Sequence, residues 1–250
     1  MIFNVVSLSS DFYNFFLNFG VIYRSFIRKK FFLNFYNLKR FSFLRNYSTS
    51  ILGSSFGLLI SFDCIKMSLF FIKHIYGYNS KVIYLSPNGR KINQSDIKSF
   101  SMFNNLIFVI GKYDGLDNRC LYSFVDDEVS VGNYVLSSGD YSFILLLDAV
   151  VRLLPNNFYK YESIINDSFM KVLFDNYNYS YSFFININNI PLILFSGDIV
   201  LINTWKFNSQ IVCTLYNKES ILNYVNFVYV RRFILKNVFL KRQYEYIRNY

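Results

Sequence analysis

VGNYVLSSGD, residues Val131–Asp140, sets two of the chain's 10 glycines, Gly132 and Gly139, on either side of the apolar run Tyr134, Val135 and Leu136. Small polar residues stand beside both. A buried strand accounts for the apolar run. It does not account for residues with little or no side chain at each end, which mark places where something approaches the backbone closely.

Two runs upstream have the same character. KVIYLS (Lys81–Ser86) is short, apolar and rich in β-branched and aromatic residues, and PNGRK ends it, which predicts a strand closing in a turn. NLIFVI (Asn105–Ile110), ended by GKYDG, predicts a second strand, and NYVLSSGD a third. Helical segments fit between and after them: NQSDIKSFSMF follows the first strand, and YSFILLLDAVVRLL (Tyr141–Leu154), closed by Pro155, follows the third. Strands alternating with helix-length segments predict an α/β fold with a parallel sheet. Ligands of such sheets sit outside the C-terminal strand ends.

The loops at that edge, Ser86–Gly89, Gly111–Gly115 and Val131–Gly139, would make a pocket walled largely by backbone. Such a wall suits a flat purine, whose edge is read by N–H and C=O groups while apolar side chains cover its faces. The alternative is three ordinary strand-ending turns. Neither GxGxxG nor GxxxxGK[ST] is present, so the dinucleotide fingerprint and the P-loop are excluded.

The chain has 250 residues, 53% of them hydrophobic, with 30 Phe and 22 Tyr but a single Ala, Ala149. A strongly AT-biased genome would produce this skew. Its richest windows do not make a spanning helix of about 20 apolar residues: Ile51–Phe62 is broken by Gly53, Ser54 and Ser55, and Tyr141–Leu154 carries Asp148 and Arg152. MIFNVVSLSSDF lacks the positive start of a signal peptide, so no membrane partner and a cytoplasmic location are expected. A net charge of +10 favours a polyanionic partner, nucleic acid or an anionic surface. Cys64, Cys120 and Cys213 are isolated and His74 is the single histidine, so no disulfide framework or zinc site is expected.

The first third is basic and irregular in pattern. After Pro155 periodicity fades into a linker; from about Lys171 the chain is Asn- and Tyr-rich, then more helical. It ends in a basic amphipathic pattern carrying Arg231, Arg232, Lys236, Lys241, Arg242 and Arg248. Several charged residues have plain readings. Asp148 and Arg152 are spaced as an i,i+4 surface pair, Asp167 as the N-cap of a following helix, and Asp126-Asp127-Glu128 as a solvated acidic turn. His74 reads as packing.

Taken together, KVIYLSPNGRKINQ, LIFVIGKYDGLDNR, DDEVSVGNYVLSSGD, DAVVRLLP, NDSF and PLILFSGD resemble, in order and spacing from about Lys81 to Gly197, the bacterial tRNA (guanine-N1)-methyltransferases of the TrmD type, a SPOUT-class family. The resemblance implies a SPOUT-type catalytic domain with a deep trefoil knot over residues 1–157, a linker over 158–170 and a small helical tRNA-binding domain over 171–250. Knots are nearly absent under general topology rules, so this one rests on the resemblance alone. It also implies a homodimer, S-adenosyl-L-methionine as methyl donor and tRNA as partner, with Mg2+ a candidate accessory ion. Tyr84, Leu85, Ser86, Pro87, Gly111, Val131, Gly132, Asn133, Tyr134, Val135, Leu136 and Gly139 would hold the cofactor, and Tyr113 and Asp114 the substrate.

The reaction implied is methylation of N1 of guanosine-37 beside the anticodon. By resemblance Asp167 is the general base, donated across the dimer interface. A carboxylate is a weak base for so weak an acid, so Arg152 would stabilise negative charge developing on O6. Asp114 would accept from the guanine's Watson–Crick donors.

The chain departs from the family pattern in several places. Asp114 replaces a glutamate, Lys112 an arginine, Ser138 a glycine and Ser142 a proline; the glycine-rich loop survives only as GSSFG, and Tyr179-Ser180-Tyr181-Ser182 lacks a family arginine. Two other readings follow. One is a degenerate homologue that binds tRNA without methyl transfer; the other is a basic protein on an anionic membrane.

Overall fold

A computed structural model describes residues 1–8, 11–42, 47–50, 52, 57–155, 167–170, 173–180 and 190–217. The chain divides into two compact units, Met1–Tyr159 and Lys160–Tyr250. The C-terminal basic helix and most of the 158–170 linker expected from sequence lie outside the described residues, as do Gly53–Phe56 of the glycine-rich loop.

The opening residues, read from sequence as part of an irregular third, supply an inner strand of the sheet. β1 (Ile2–Ser7) pairs in parallel with both β2 (Phe32–Asn37) and β6 (Asn105–Ile110). Its alternation is masked by Asn4, which is fully buried yet satisfied: its amide donates to Asn105 Oδ1 at 2.6 Å and its carbonyl accepts from Asn34 at 3.0 Å. β5 (Lys81–Lys91) and β7 (Asp127–Ser130) complete a five-stranded parallel sheet in the order β2-β1-β6-β5-β7. β3 (Ser48–Ser50) and β4 (Leu58–Ile60) form a separate antiparallel pair.

Period-2 alternation divides the strands between two cores. Phe3, Val5, Ile83, Leu85, Phe108 and Ile110 face one side, with α2 (Gly20–Ile27), α4 (Gln94–Ser101) and α6 (Gly139–Leu153) packed there. Val6, Val82, Tyr84, Ile107 and Val109 face the other, covered by α3 (Phe62–Tyr76) and α5 (Asn118–Phe124). A short α1 (Asp11–Phe16) follows β1. The expected parallel α/β sheet, α4 and α6 are all present, and β6 has the bounds expected.

Two expectations are corrected. NYVLSSGD is not the third strand; β7 is DEVS, which takes in Asp127 and Glu128 of the run read as a solvated acidic turn. Pairing explains this. The Asp126 carboxylate accepts the Val82 N–H at 2.6 Å, and Asp127 is ion-paired, so acidic residues tolerate the strand. Tyr134 and Val135 are exposed, at 54% and 87%, rather than buried. β5 also does not stop at Ser86. It bulges and resumes at Arg90 and Lys91 against Val129 and Ser130.

In the second unit, α7 (Ile199–Asn217) is tied by side chains to residues 174–179. Phe174 N–H donates to Thr214 Oγ1 at 2.8 Å, Tyr177 N–H donates to Ser209 Oγ at 3.3 Å, and the rings of Tyr179 and Trp205 lie 5.9 Å apart. Asp167 opens a turn, its carbonyl accepting Met170 N–H at 3.2 Å, where sequence suggested a helix cap. Among the described residues no helix is long and apolar enough to cross a membrane.

Candidate active site

A pocket of about 290 Å3 opens outside the C-terminal ends of β5, β6 and β7. Its walls are the bulge after Leu85, the loop from Gly111 to Leu116, and the loop from Val131 to Gly139. The bulge exists because Gly89 crosses β7 at close range: a Cβ there would stand 2.5 Å from Val129 N. Gly111 lies under the Tyr84 ring, where a Cβ would be 2.8 Å from the hydroxyl. Burial, reinforced by the Glu128 carboxylate, pushes the Tyr84 phenol up to about 12. It stays protonated through the physiological range.

The third loop is folded on itself. Ser130 Oγ donates to the Gly132 carbonyl at 3.0 Å and accepts the Gly132 N–H at 3.3 Å. At its far end Ser138 caps α6, its hydroxyl accepting Asp140 N–H at 3.2 Å. The serine in place of a family glycine thus has a local use. Gly139 packs against the ends of β5 and β6, with Ile110 3.1 Å and the Leu85 and Gly111 carbonyls each 3.8 Å from where its Cβ would sit.

The second loop is clasped from outside. Leu58 N–H donates to Asp114 Oδ2 at 2.8 Å, Asp114 N–H donates to Leu58 O at 3.1 Å, and Ile60 N–H to Gly115 O at 3.0 Å. The Tyr113 backbone takes a left-handed φ of 61°, and its hydroxyl lies 3.3 Å from that of Tyr47. Strain of this kind concentrates at functional sites.

Of the residues singled out from sequence, Tyr84, Leu85, Ser86, Pro87, Gly111, Tyr113, Asp114, Val131, Gly132, Tyr134, Val135, Leu136 and Gly139 line this pocket. Asn133 does not, and Arg152 lies away from it in the last turn of α6. Asp167 belongs to the second unit. Sequence reading missed Glu128, Ser130 and Leu116 in the walls. Glu128 was hidden inside the acidic run, and only the strand pairing of Tyr84 with Glu128 brings it to the pocket. Among the described residues no cluster of His, Cys, Asp and Glu could hold a metal ion.

A parallel α/β sheet with a backbone-walled pocket at its C-terminal edge, and no phosphate-binding glycine fingerprint, defines a protein that holds a ligand by loop backbones. Comparison with known proteins gives the family. The tRNA (guanine-1)-methyltransferase TrmD family profile matches residues 1–223, so the chain belongs to that family and is a tRNA methyltransferase, a transferase. It is 29% identical over 228 residues to the tRNA (guanine-N(1)-)-methyltransferase of Blochmanniella pennsylvanica, covering 90% of this chain and 89% of that one. With the Haemophilus ducreyi protein of the same name it shares 28% identity over 247 residues, 96% and 98% of the two chains. The fold is similar to that of the tRNA (m1G37) methyltransferase from Aquifex aeolicus, with a TM-score of 0.69 over 89% of this chain and 95% of that one, at 22% identity.

Proposed function

We propose that this chain methylates N1 of guanosine-37 in tRNA, with S-adenosyl-L-methionine bound in the pocket between Tyr84, Gly111 and Gly132, and that it works as a cytoplasmic homodimer with a knotted cofactor loop. The observation that carries this reading is the pocket wall. At Gly111 and Gly132, which line it, a Cβ would press on Tyr84 or Tyr134 less than 3 Å away, so both loops carry glycine where a tyrosine of the pocket closes over the backbone. Its lining offers N–H and C=O groups, apolar surface from Leu85 and Val131, and the Tyr84 phenol, a donor set that fits an adenosine. When bound, the cofactor supplies an electrophilic methyl group.

The chain's own residues then have four tasks. Backbone groups of Gly111 and of Val131–Leu136 hold the adenosine and the amino-acid end; Tyr84, Leu85, Ser86 and Pro87 close the side of the pocket. Tyr113 and Asp114 receive the guanine, Asp114 through the carboxylate oxygen that Leu58 does not engage. Arg152, which lies away from the pocket of its own chain, would stabilise charge on O6 in the partner copy's pocket as N1 loses its proton. Asp167 takes that proton, reaching the pocket of the partner copy. Tyr134, Val135 and Leu136, exposed in the single chain, are a surface that the second copy would cover. The charge of +10 suits tRNA phosphates, which give affinity without base choice.

The test is transfer of labelled methyl from S-adenosyl-L-methionine to an unmodified tRNA transcript with guanosine at position 37, beside one with adenosine there. Label on the first alone is expected. Equal label on both would refute the position, and label on neither, with cofactor bound, would refute the reaction.

A further inference from the structure

The sequence stretch that defines the third pocket loop ends in a buried carboxylate that the chemistry above does not use. Asp140 is 5% exposed, in the first turn of α6. Its Oδ1 accepts from Ser7 Oγ at 3.0 Å and from the Tyr13 hydroxyl; its Oδ2 accepts from Ser138 Oγ at 2.5 Å. A carboxylate out of water is costly unless its lone pairs are satisfied, and here three hydroxyls and the positive end of a helix satisfy it. The three donors come from different places. Ser7 ends β1, Tyr13 sits on α1, and Ser138 is part of the pocket loop.

The two core-side donors are immobile. Tyr13 is 1% exposed, stacked on Phe35 at 4.4 Å and edge-on to Phe143 at 5.6 Å; Ser7 is 6% exposed. Burial raises the Tyr13 phenol far above its ordinary range, and its bond to Asp140 adds to this, so it is always a donor. On the other side, Ser138 both donates to the carboxylate and accepts Asp140 N–H, a closed pair that leaves the loop end one position. The next residue, Gly139, lines the pocket and abuts the ends of β5 and β6.

We propose that Asp140 is a positioning residue for the cofactor: through Ser138 it fixes the end of the Val131–Gly139 loop to Ser7 at the end of β1 and to the buried Tyr13 of α1, and so presets the backbone groups that bind the adenosine. The proposal rests on the cofactor assignment made above. It has no bearing on which group takes the proton.

Tyr13 does not line the pocket, so an effect of Tyr13→Phe on affinity must pass through the hydroxyl cluster it forms with Ser7 around Asp140. Calorimetric titration of S-adenosylhomocysteine into the full-length protein should show affinity weakened about tenfold in Asp140→Asn and roughly threefold in Tyr13→Phe, since the net contribution of a typical hydrogen bond lies in that range. Val150→Ala, a truncation of the fully buried core on the same helix, controls for stability. It should lower Tm while keeping affinity within about twofold of wild type. In turnover, the KM for S-adenosyl-L-methionine should rise in Asp140→Asn and Tyr13→Phe, with kcat retained. If wild type itself does not bind S-adenosylhomocysteine, the cofactor assignment fails. If wild type binds and Tyr13→Phe binds equally well, the positioning role is overturned and the cofactor assignment stands. Tyr13→Phe decides the question even if Asp140→Asn does not fold.

Discussion

Leu58 N–H donates to Asp114 Oδ2 at 2.8 Å, and Asp114 N–H returns a bond to Leu58 O at 3.1 Å. The exchange ties β4 to the rim of the pocket, at the residue where the family pattern carries a glutamate. A shorter side chain suits this clasp, because the carboxylate meets a backbone that is already adjacent. It leaves one oxygen for a guanine. Asp114→Ala removes both, so methyl transfer to tRNA should fall at least about tenfold. Cofactor affinity should stay within about threefold. Steady-state kinetics with tRNA varied, beside calorimetry with cofactor alone, would check this; unchanged transfer would remove Asp114 from guanine recognition.

Asp167 lies in a turn in the second unit, and the role assigned to it is exercised in the pocket of the partner copy. Asp167→Asn keeps shape and hydrogen bonding but cannot take a proton. Single-turnover methyl transfer should drop by about 10²-fold or more, the usual contribution of a positioned base. Cofactor binding should be little changed. Near wild-type turnover would assign the proton to another group.

The sheet and pocket edge were legible in sequence where local pattern and tertiary role agree. NLIFVI is buried from end to end and reads as what it is, and the helix from Tyr141 onward shows its period plainly. β1 was not legible, because the Asn4 that interrupts its apolar run is satisfied by Asn105 and Asn34, residues 101 and 30 positions away. β7 was not legible for the same kind of reason: Asp127 becomes strand-compatible only beside Arg90 and Lys81. The mistaken strand at Tyr134–Leu136 is the converse error, since apolar side chains need not face their own chain's core. Glycine spacing nonetheless marked all three pocket loops, because close backbone approach leaves a trace in composition even where element bounds do not.

Gly89, in the bulge of β5, and Gly132, in the pocket lining, differ in what an added side chain would meet. At Gly89 a Cβ would press on β7 backbone, 2.5 Å from Val129 N, which cannot move aside without breaking the strand. At Gly132 it would press on Tyr134 Cε1 at 2.3 Å, and Tyr134 is 54% exposed and free to turn. Gly89→Ala should therefore lower stability by roughly 1–3 kcal/mol, as overpacking does. Gly132→Val should leave Tm within a few degrees and weaken S-adenosyl-L-methionine binding by about tenfold or more through displacement of Tyr134. Thermal melts and calorimetry on the pair would show the split. Unchanged cofactor affinity in Gly132→Val would exclude this loop from the adenosine site.

Arg90 resumes β5 after the bulge and holds Asp127, the first residue of β7, in a fork: Nε to Oδ1 at 3.0 Å and Nη2 to Oδ2 at 2.7 Å, with Nη1 reaching Asp96 at 2.8 Å. Lys81 adds a contact to Asp127 Oδ2 at 3.4 Å. Burial acting alone would raise the Asp127 carboxyl, but the Arg90 guanidinium, and after it Lys81, outweigh burial and hold it below the usual carboxylate range. A carboxyl depressed in the folded state stabilises the protein above its unfolded pKa of about 3.9 and loses that contribution as pH falls through the folded value. Arg90→Met keeps much of the aliphatic stem and removes the charge. The variant should be less stable than wild type by about 1 kcal/mol at neutral pH, the upper range for a partly exposed pair with bidentate geometry. The difference should shrink toward zero in acid, where Asp127 is protonated in both proteins. Urea unfolding of the two proteins across the acid range would measure it. A gap that stays constant into acid would mean that Arg90 stabilises the bulge by something other than its charge pair with Asp127.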